Sequence, residues 1–322
     1  MKAAVYYETG QPDVFRYEEV PDPVCQPGGV LIDVKAVSIE GGDVLNRWHG
    51  EMPAKPHIVG YQCAGIIREV GSQVTDRSVG QAVVAMMPHG SHASLVSVAA
   101  TQTWLVPSGM DVQQAACVPI PFGTADDCLF EFGRLQAGET VLVHGAAGGV
   151  GFAAIQLAKR AGATVIGTAS SDERLERLKD YGLDYGINYR NEDFVARARA
   201  LSGGQGVHLA VDGVGGKTLE GSINATGYRG RISRYGNVGR DFDPPDTSAL
   251  GGMNRSLTGY SMAIETFRDP PRVRAMVEGH LRDVANGSLK VVIDRTFPLA
   301  EAAAAHGYIE SQHAFGRVVL LP

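Results

Sequence analysis

Cysteine is scarce in this chain of 322 residues: Cys25, Cys63, Cys117 and Cys128 are its four, and no two stand in a C-x-x-C pair. A chain this long buries enough surface to fold without disulfide staples, so the four read as reduced thiols buried as small hydrophobes. A basic excess is missing as well. Lysine and arginine number 29 against 35 aspartates and glutamates, a net charge of −6, and no stretch concentrates cations without interleaved acids. Nucleic-acid binding by counterion release needs such a cluster, which sets that class of partner aside. Long apolar runs are also absent. The best candidate, residues 141–158, is broken by His144 and a group of glycines, which argues against a membrane span. The opening Met1-Lys2-Ala3-Ala4-Val5-Tyr6-Tyr7-Glu8 meets an acid before it builds the apolar core of a signal peptide. These absences point to a soluble, cytoplasmic protein.

Glycine, by contrast, is abundant, with 41 residues against a usual share of about 7%. Length is a soft prior for two domains of roughly 150 residues each, and the chain changes character near its middle. The first third reads as short strands and turns with few helices. Residues 30–37 alternate, with Val30, Ile32, Val34 and Ala36 toward a core and Asp33 and Lys35 toward water. Similar signals recur at 64–70, 82–86 and 95–98, an antiparallel, barrel-like pattern. From Thr140 a continuous apolar strand is followed by glycines and then by Val150, Ala153, Ala154, Leu157, Ala158 and Ala161 at helical spacing. The strand-then-helix unit repeats at 164–168 with Leu175 and Leu178, and at 207–211 with Leu219 and Ile223. Alternation of this kind predicts a parallel, doubly wound sheet. Val273, Met276, Val277, Leu281 and Val284 mark a later amphipathic helix, and 318–321 a closing strand.

The first of these units carries Gly145-Ala146-Ala147-Gly148-Gly149-Val150-Gly151 between strand and helix. A pyrophosphate reaches a helix amino terminus only where no Cβ stands in the way, and the free amides then donate to its oxygens. Gly148 suits the close approach and Gly151 the helix-to-strand packing, although Ala146 replaces the first glycine of G-x-G-x-x-G. The glycines alone fit a ligand-free turn equally well; the flanking strand, helix and second unit favour a dinucleotide. An NAD site would end the second strand with an acid for the ribose hydroxyls. Here that end reads Ala169-Ser170-Ser171-Asp172-Glu173-Arg174. The Ser170 hydroxyl and the Arg174 guanidinium suit a 2′-phosphate, which selects NADPH. The plainer alternative is a capping box from Ser170 to Glu173 with Arg174 on a wet helix face. His89-x-x-His92 has metal-like spacing but lies on a presumed turn with no third ligand, so it reads as solvated and no metal site is expected.

Several motifs together carry a family likeness: Met1-Lys2-Ala3-Ala4-Val5, Val59-Gly60, Ala64-Gly65-Ile66-Ile67, Val70-Gly71, the loop from Ala146 to Gly151, Ile187-Asn188-Tyr189, Gly236-Asn237 and Gly316-Arg317-Val318-Val319-Leu320. Over nearly its whole length the chain resembles the zinc-lacking quinone oxidoreductases of the medium-chain dehydrogenase/reductase superfamily. The resemblance implies an α/β architecture: a Rossmann-type doubly wound parallel sheet, residues 123–260, inserted into a GroES-like antiparallel β-barrel domain built from residues 1–122 and 261–322. It implies NADPH contacts at Gly148, Gly149, Val150, Ser170, Arg174, Tyr189, Asn237 and Arg317, with Thr124 near the nicotinamide. It also implies a homodimer joined through edge strands, for which residues 255–260 are the candidate.

Zinc-dependent relatives carry a Cys, a Gly-His-Glu and a later Cys around the metal. The corresponding stretches here resemble Ser38-Ile39-Glu40-Gly41-Gly42-Asp43 and Gly60-Tyr61-Gln62, and the four-cysteine structural lobe is missing. The chain departs from the quinone reductase pattern too. Glu40 stands where that family often has Asn, Leu45 replaces a Tyr, and Gly41-Gly42 makes the loop permissive. Glu40 and Asp43 are the candidate catalytic residues, as proton donor or substrate anchor, with wet loop acids as the alternative. The expected reaction is hydride transfer from NADPH to a quinone or α,β-unsaturated carbonyl without a metal. The alternatives are an NADPH-binding structural or regulatory protein that has lost catalysis, and an enoyl-thioester reductase.

Overall fold

The computed structural model describes all 322 residues. Its strands are β1 (Lys2–Val5), β2 (Arg16–Glu19), β3 (Gly29–Ser38), β4 (Gln62–Val70), β5 (Ala82–Met86), β6 (Leu95–Ala99), β7 (Thr103–Leu105), β8 (Thr140–Val143), β9 (Thr164–Ala169), β10 (Tyr185–Asn188), β11 (Val207–Asp212), β12 (Thr226–Arg234), β13 (Ser256–Gly259), β14 (Ile293–Pro298) and β15 (Arg317–Leu321). The helices are α1 (Gly41–His49), α2 (Val112–Ala116), α3 (Pro119–Asp126), α4 (Gly149–Arg160), α5 (Asp172–Lys179), α6 (Phe194–Leu201), α7 (Gly216–Ala225), α8 (Met262–Arg268), α9 (Pro270–Ala285) and α10 (Ala302–Glu310). They divide into two compact units, Met1–Ile120 with Asp269–Pro322, and Pro121–Arg268.

In the first unit the sheet runs β14-β15-β3-β4-β5-β7, with β6 also pairing β3. The last strand of the chain, β15, lies antiparallel to β3, with Val319 opposite Ser38, and parallel to β14. Both ends of the chain therefore share one core, in which Val30, Ile32, Val34 and Val37 pack with Val318, Leu320 and Phe297. Alternation along β3 is weaker than the sequence suggests. Leu31 and Val37 are buried along with Val30 and Ile32, and Lys35 is the strand's one exposed side chain. The reason is that β3 pairs with β4, β6 and β15 along different stretches and is covered almost throughout.

The second unit holds six parallel strands in the order β10-β9-β8-β11-β12-β13. Helices cover both faces of such a sheet, so β8 reads Val141-Leu142-Val143 and β11 Leu209-Ala210-Val211, all buried, with His208 the one exposed residue of β11. The order reverses at β8, and ligands of doubly wound sheets bind outside the carboxyl ends of the strands at that switch point. Residues 261–268, expected with the barrel, belong to this unit. Met262 is buried, and the Tyr260 hydroxyl beside it contacts Met262 Sδ and donates to Asp127 Oδ2 at 2.8 Å. β13 forms one edge of the sheet. No helix is long and apolar enough to cross a membrane. All four cysteines are free, but Cys25 is only half-buried, unlike the other three.

Candidate active site

Most of the sequence-derived cofactor residues gather at the carboxyl ends of the parallel strands. After β8, Gly145 turns the chain with φ +59, a conformation that glycine adopts without strain. Gly148 then caps α4 in an extended conformation with no side chain bonded to the helix end. The N–H groups of Gly149, Val150 and Gly151 precede the first intrahelical donor, the Phe152 amide, which bonds the Gly148 carbonyl at 2.8 Å, so this terminus offers free donors to an anion. Gly148 is exposed and a methyl there would meet only the Gly145 carbonyl, at 3.3 Å. A methyl at Gly151 would run into the Gly145 carbonyl and the Ala146 Cα, so Gly151 is required by packing.

At the end of β9 the Arg174 guanidinium donates to Ser170 Oγ at 3.0 Å, both side chains half-buried. The capping box expected from Ser170 to Glu173 does not form. Ser171 is the N-cap of α5, its Oγ accepting from the Arg174 amide at 3.4 Å. The chain stays extended one residue further than the pattern suggests, which frees the Ser170 hydroxyl. Asp172, the nearest acid in sequence, accepts from Asn188 Nδ2 at 2.9 Å. Tyr189 follows β10 and is 44% exposed. Beyond β12, Asn237 donates through Nδ2 to the Asp241 carbonyl at 2.9 Å, which leaves its buried Oδ1 with no partner. A buried amide oxygen without a donor costs stability unless a ligand supplies one. Thr124 sits buried on α3 in the same unit.

Arg317 has a different occupation from the one expected. It lies in the barrel unit, where its guanidinium ion-pairs with Glu40 and donates to Ser38 Oγ at 2.6 Å and to the Ile39 carbonyl at 2.7 Å. Gln62 Nε2 also donates to Glu40, and Gln62 Oε1 accepts from the Ile120 amide at 3.0 Å. Burial pushes the Glu40 carboxyl up to about 7 against the opposing pull of Arg317. Residues 40–43 do not form a permissive loop. Glu40 is the N-cap of α1, and Asp43 Oδ2 accepts the Glu40 amide at 2.9 Å. Gly42 is helical and lacks a side chain because the Tyr61 hydroxyl occupies the space a Cβ would take. Asp43 is fully buried with Oδ1 unpartnered, and burial raises its carboxyl well above the ordinary range, with the Glu40 charge adding to the rise. Neither acid is the wet loop residue that the sequence also allowed. Tyr61 and Gln62 complete this cluster, and their only sequence signal was membership in the Gly60-Tyr61-Gln62 stretch.

No group of three His, Cys, Asp or Glu side chains converges on a point that could hold a metal ion. The zinc donor set is therefore not assembled, and Glu40, at a position resembling a ligand's, is committed to Arg317. His92 is not solvated as its spacing suggested. It is buried, with Nε2 3.0 Å from Nε2 of buried His306, while His89 is exposed.

Comparison with known proteins follows the two units. The family model for the alcohol dehydrogenase GroES-like domain matches residues 26–122, and that for zinc-binding dehydrogenase matches residues 149–278. A 2-haloacrylate reductase from Burkholderia sp is 33% identical over 328 residues, covering 99% of this chain and 98% of the relative. A quinone oxidoreductase from Pseudomonas aeruginosa is 32% identical, covering 97% of each chain. The crystal structure of Escherichia coli quinone oxidoreductase complexed with NADPH superposes with a TM-score of 0.95 at 27% identity, over 100% of both chains.

Proposed function

Since the chain belongs to the quinone oxidoreductase family of the medium-chain dehydrogenase/reductase superfamily, we propose that it is an NADPH-dependent reductase. Its substrates are quinones or α,β-unsaturated carbonyls, and it reduces them without a metal ion. The observation that carries the cofactor reading is the Ser170–Arg174 pair at the end of β9, where a hydroxyl and a cation stand in place of the acid that would select NADH. Ser170 and Arg174 would hold the 2′-phosphate, the amides of Gly149 and Val150 beside Gly148 the pyrophosphate, and Tyr189 the adenosine. The orphaned Oδ1 of Asn237 would accept a hydrogen bond from the cofactor, and Thr124 would face its nicotinamide.

When bound, the dihydronicotinamide supplies the hydride. The acceptor is an activated alkene or quinone because no assembled donor set is available to hold a Lewis acid that would polarise a simple carbonyl. The proton that balances hydride addition comes from water or from the Glu40 and Asp43 pair, whose carboxyls burial biases toward their neutral, proton-carrying forms while Arg317 and Gln62 anchor Glu40. Stopped-flow oxidation of NADPH against a panel of quinones, enones and enoyl thioesters tests the reading. Turnover of quinones or enones is expected, faster with NADPH than with NADH. Tight NADPH binding with no turnover of any member would instead make the chain a binding protein.

A further inference from the structure

Four buried polar side chains link the ends of three strands in the nucleotide unit. Ser222 Oγ lies 2.7 Å from Asp212 Oδ2 and 2.9 Å from His144 Nε2, and His144 Nδ1 lies 3.1 Å from Thr168 Oγ1. Ser222 and Asp212 have no exposed surface, and His144 and Thr168 have 2% each. Asp212 has no cation partner among its contacts. Its other oxygen accepts the Val214 amide at 2.8 Å and the Gly215 amide at 2.9 Å.

The directions of these bonds follow from proton counting. A hydroxyl has one proton, and the carboxylate is the stronger acceptor at the shorter distance, so Ser222 donates to Asp212. The contact between Ser222 and His144 then requires a proton on Nε2. Nδ1 is left to accept from the Thr168 hydroxyl, and burial keeps the imidazole neutral by lowering its pKa. Every member is satisfied in this arrangement, the condition under which a buried polar network rigidifies its surroundings.

Its surroundings are the cofactor loops. His144 precedes the Gly145–Gly151 turn, and the Ala146 amide donates to the Thr168 carbonyl at 3.0 Å. Thr168 stands two residues before Ser170. Asp212 sets Val214 and Gly215, and the Gly213 and Val214 carbonyls accept the Val238 and Gly239 amides at 3.0 Å, next to Asn237. We propose that His144, Ser222, Asp212 and Thr168 are positioning residues that lock the glycine loop, the Ser170–Arg174 pair and the Asn237 loop into one preformed NADPH-binding rim. The inference rests on the NADPH reading above and adds residues that touch no ligand themselves.

The test is NADPH affinity by fluorescence titration, well below the melting temperature, for Ser222→Ala, Asp212→Asn and Val207→Ala, with thermal unfolding measured in parallel. Val207 is buried at the far end of β11 and serves as the stability control. Ser222→Ala is expected to weaken NADPH about tenfold, whereas Val207→Ala lowers the melting temperature and leaves affinity within twofold of wild type. In Asp212→Asn the amide nitrogen turns donor toward Ser222, whose own proton then goes to the Thr218 carbonyl, 3.0 Å away, or to His144 Nε2, and much of the affinity should remain. Nitrogen chemical shifts of the wild-type His144 ring should report the Nε2–H tautomer. Unchanged affinity in Ser222→Ala, equal weakening in Val207→Ala, or an Nδ1–H tautomer in wild type would overturn the proposal. Absence of saturable NADPH binding by wild type would overturn the cofactor reading itself, before any variant is compared.

Discussion

At the scale of single residues, charge and burial decide most of the chemistry. Arg174 contacts Ser170 at 3.0 Å on a half-buried rim, so Arg174→Ala should weaken NADPH about tenfold or more while leaving NADH affinity nearly unchanged, measured by titration of each cofactor. His92 behaves differently, because burial lowers its folded pKa from 6.5 to about 3. The folded state then binds fewer protons than the unfolded chain, so its contribution to stability is present above pH 6.5 and is lost as pH falls toward 3. Glu40 has the opposite sign: raised from 4.5 to about 7, it stabilises below 4.5 and loses that contribution as pH rises through 7. The two slopes oppose each other, so the test is a difference. Between about pH 4 and 5.5, urea unfolding of His92→Leu should give a change of stability with pH that is lower than wild type's by about 1.4 kcal/mol per pH unit. Residue types at these positions were readable in sequence, but their protonation was not. Nothing in the local sequence of His92 or Glu40 reports that His306 or Arg317, more than two hundred residues away, closes over them.

Among the elements, the strand–loop–helix unit at β8 and α4 was the most legible, because continuous apolar residues, then glycines, then helical spacing have one common physical solution. The glycines within it have separable roles. Gly151→Ala puts a methyl against backbone, and calorimetry should show it markedly destabilised. Gly148→Ala, at φ −86 with its Cβ 3.3 Å from the Gly145 carbonyl, should melt closer to wild type than Gly151→Ala yet bind NADPH at least several-fold more weakly, because its Cβ would crowd a pyrophosphate at the helix terminus. The reverse pattern would mean that the loop holds no phosphate. Among the elements that sequence reading missed was α1. Two adjacent glycines argue against a helix by propensity, but the Glu40 and Asp43 cap and the Tyr61 hydroxyl packed over Gly42 outweigh that preference. The cap of α5 was misplaced by one residue for a related reason: two consecutive serines offer the same chemistry, and only the length of β9 selects Ser171.

For the whole molecule, one unit is contiguous and the other is closed by the chain's last strands. The fragment spanning Pro121–Arg268 retains all six strands of the parallel sheet and should unfold cooperatively and bind NADPH in isolation, as monitored by circular dichroism and titration. A chain ending at Arg268 lacks β14 and β15, strips the core of Val318, Leu320 and Phe297, leaves the Val37–Ser38 end of β3 unpaired, and should aggregate. By itself the sequence determined the antiparallel and parallel strand patterns, the glycine loop and the missing acid at the end of β9, because each is written within a few dozen consecutive residues as a periodicity or a local motif. Only the tertiary structure decided that Arg317 serves Glu40, that His92 meets His306, and that Ser222 joins Asp212 to His144. Those partners are brought together by strand order and core packing, and a burial that turns an ordinary acid or imidazole into a shifted one is a property of the surrounding fold rather than of any neighbouring letter.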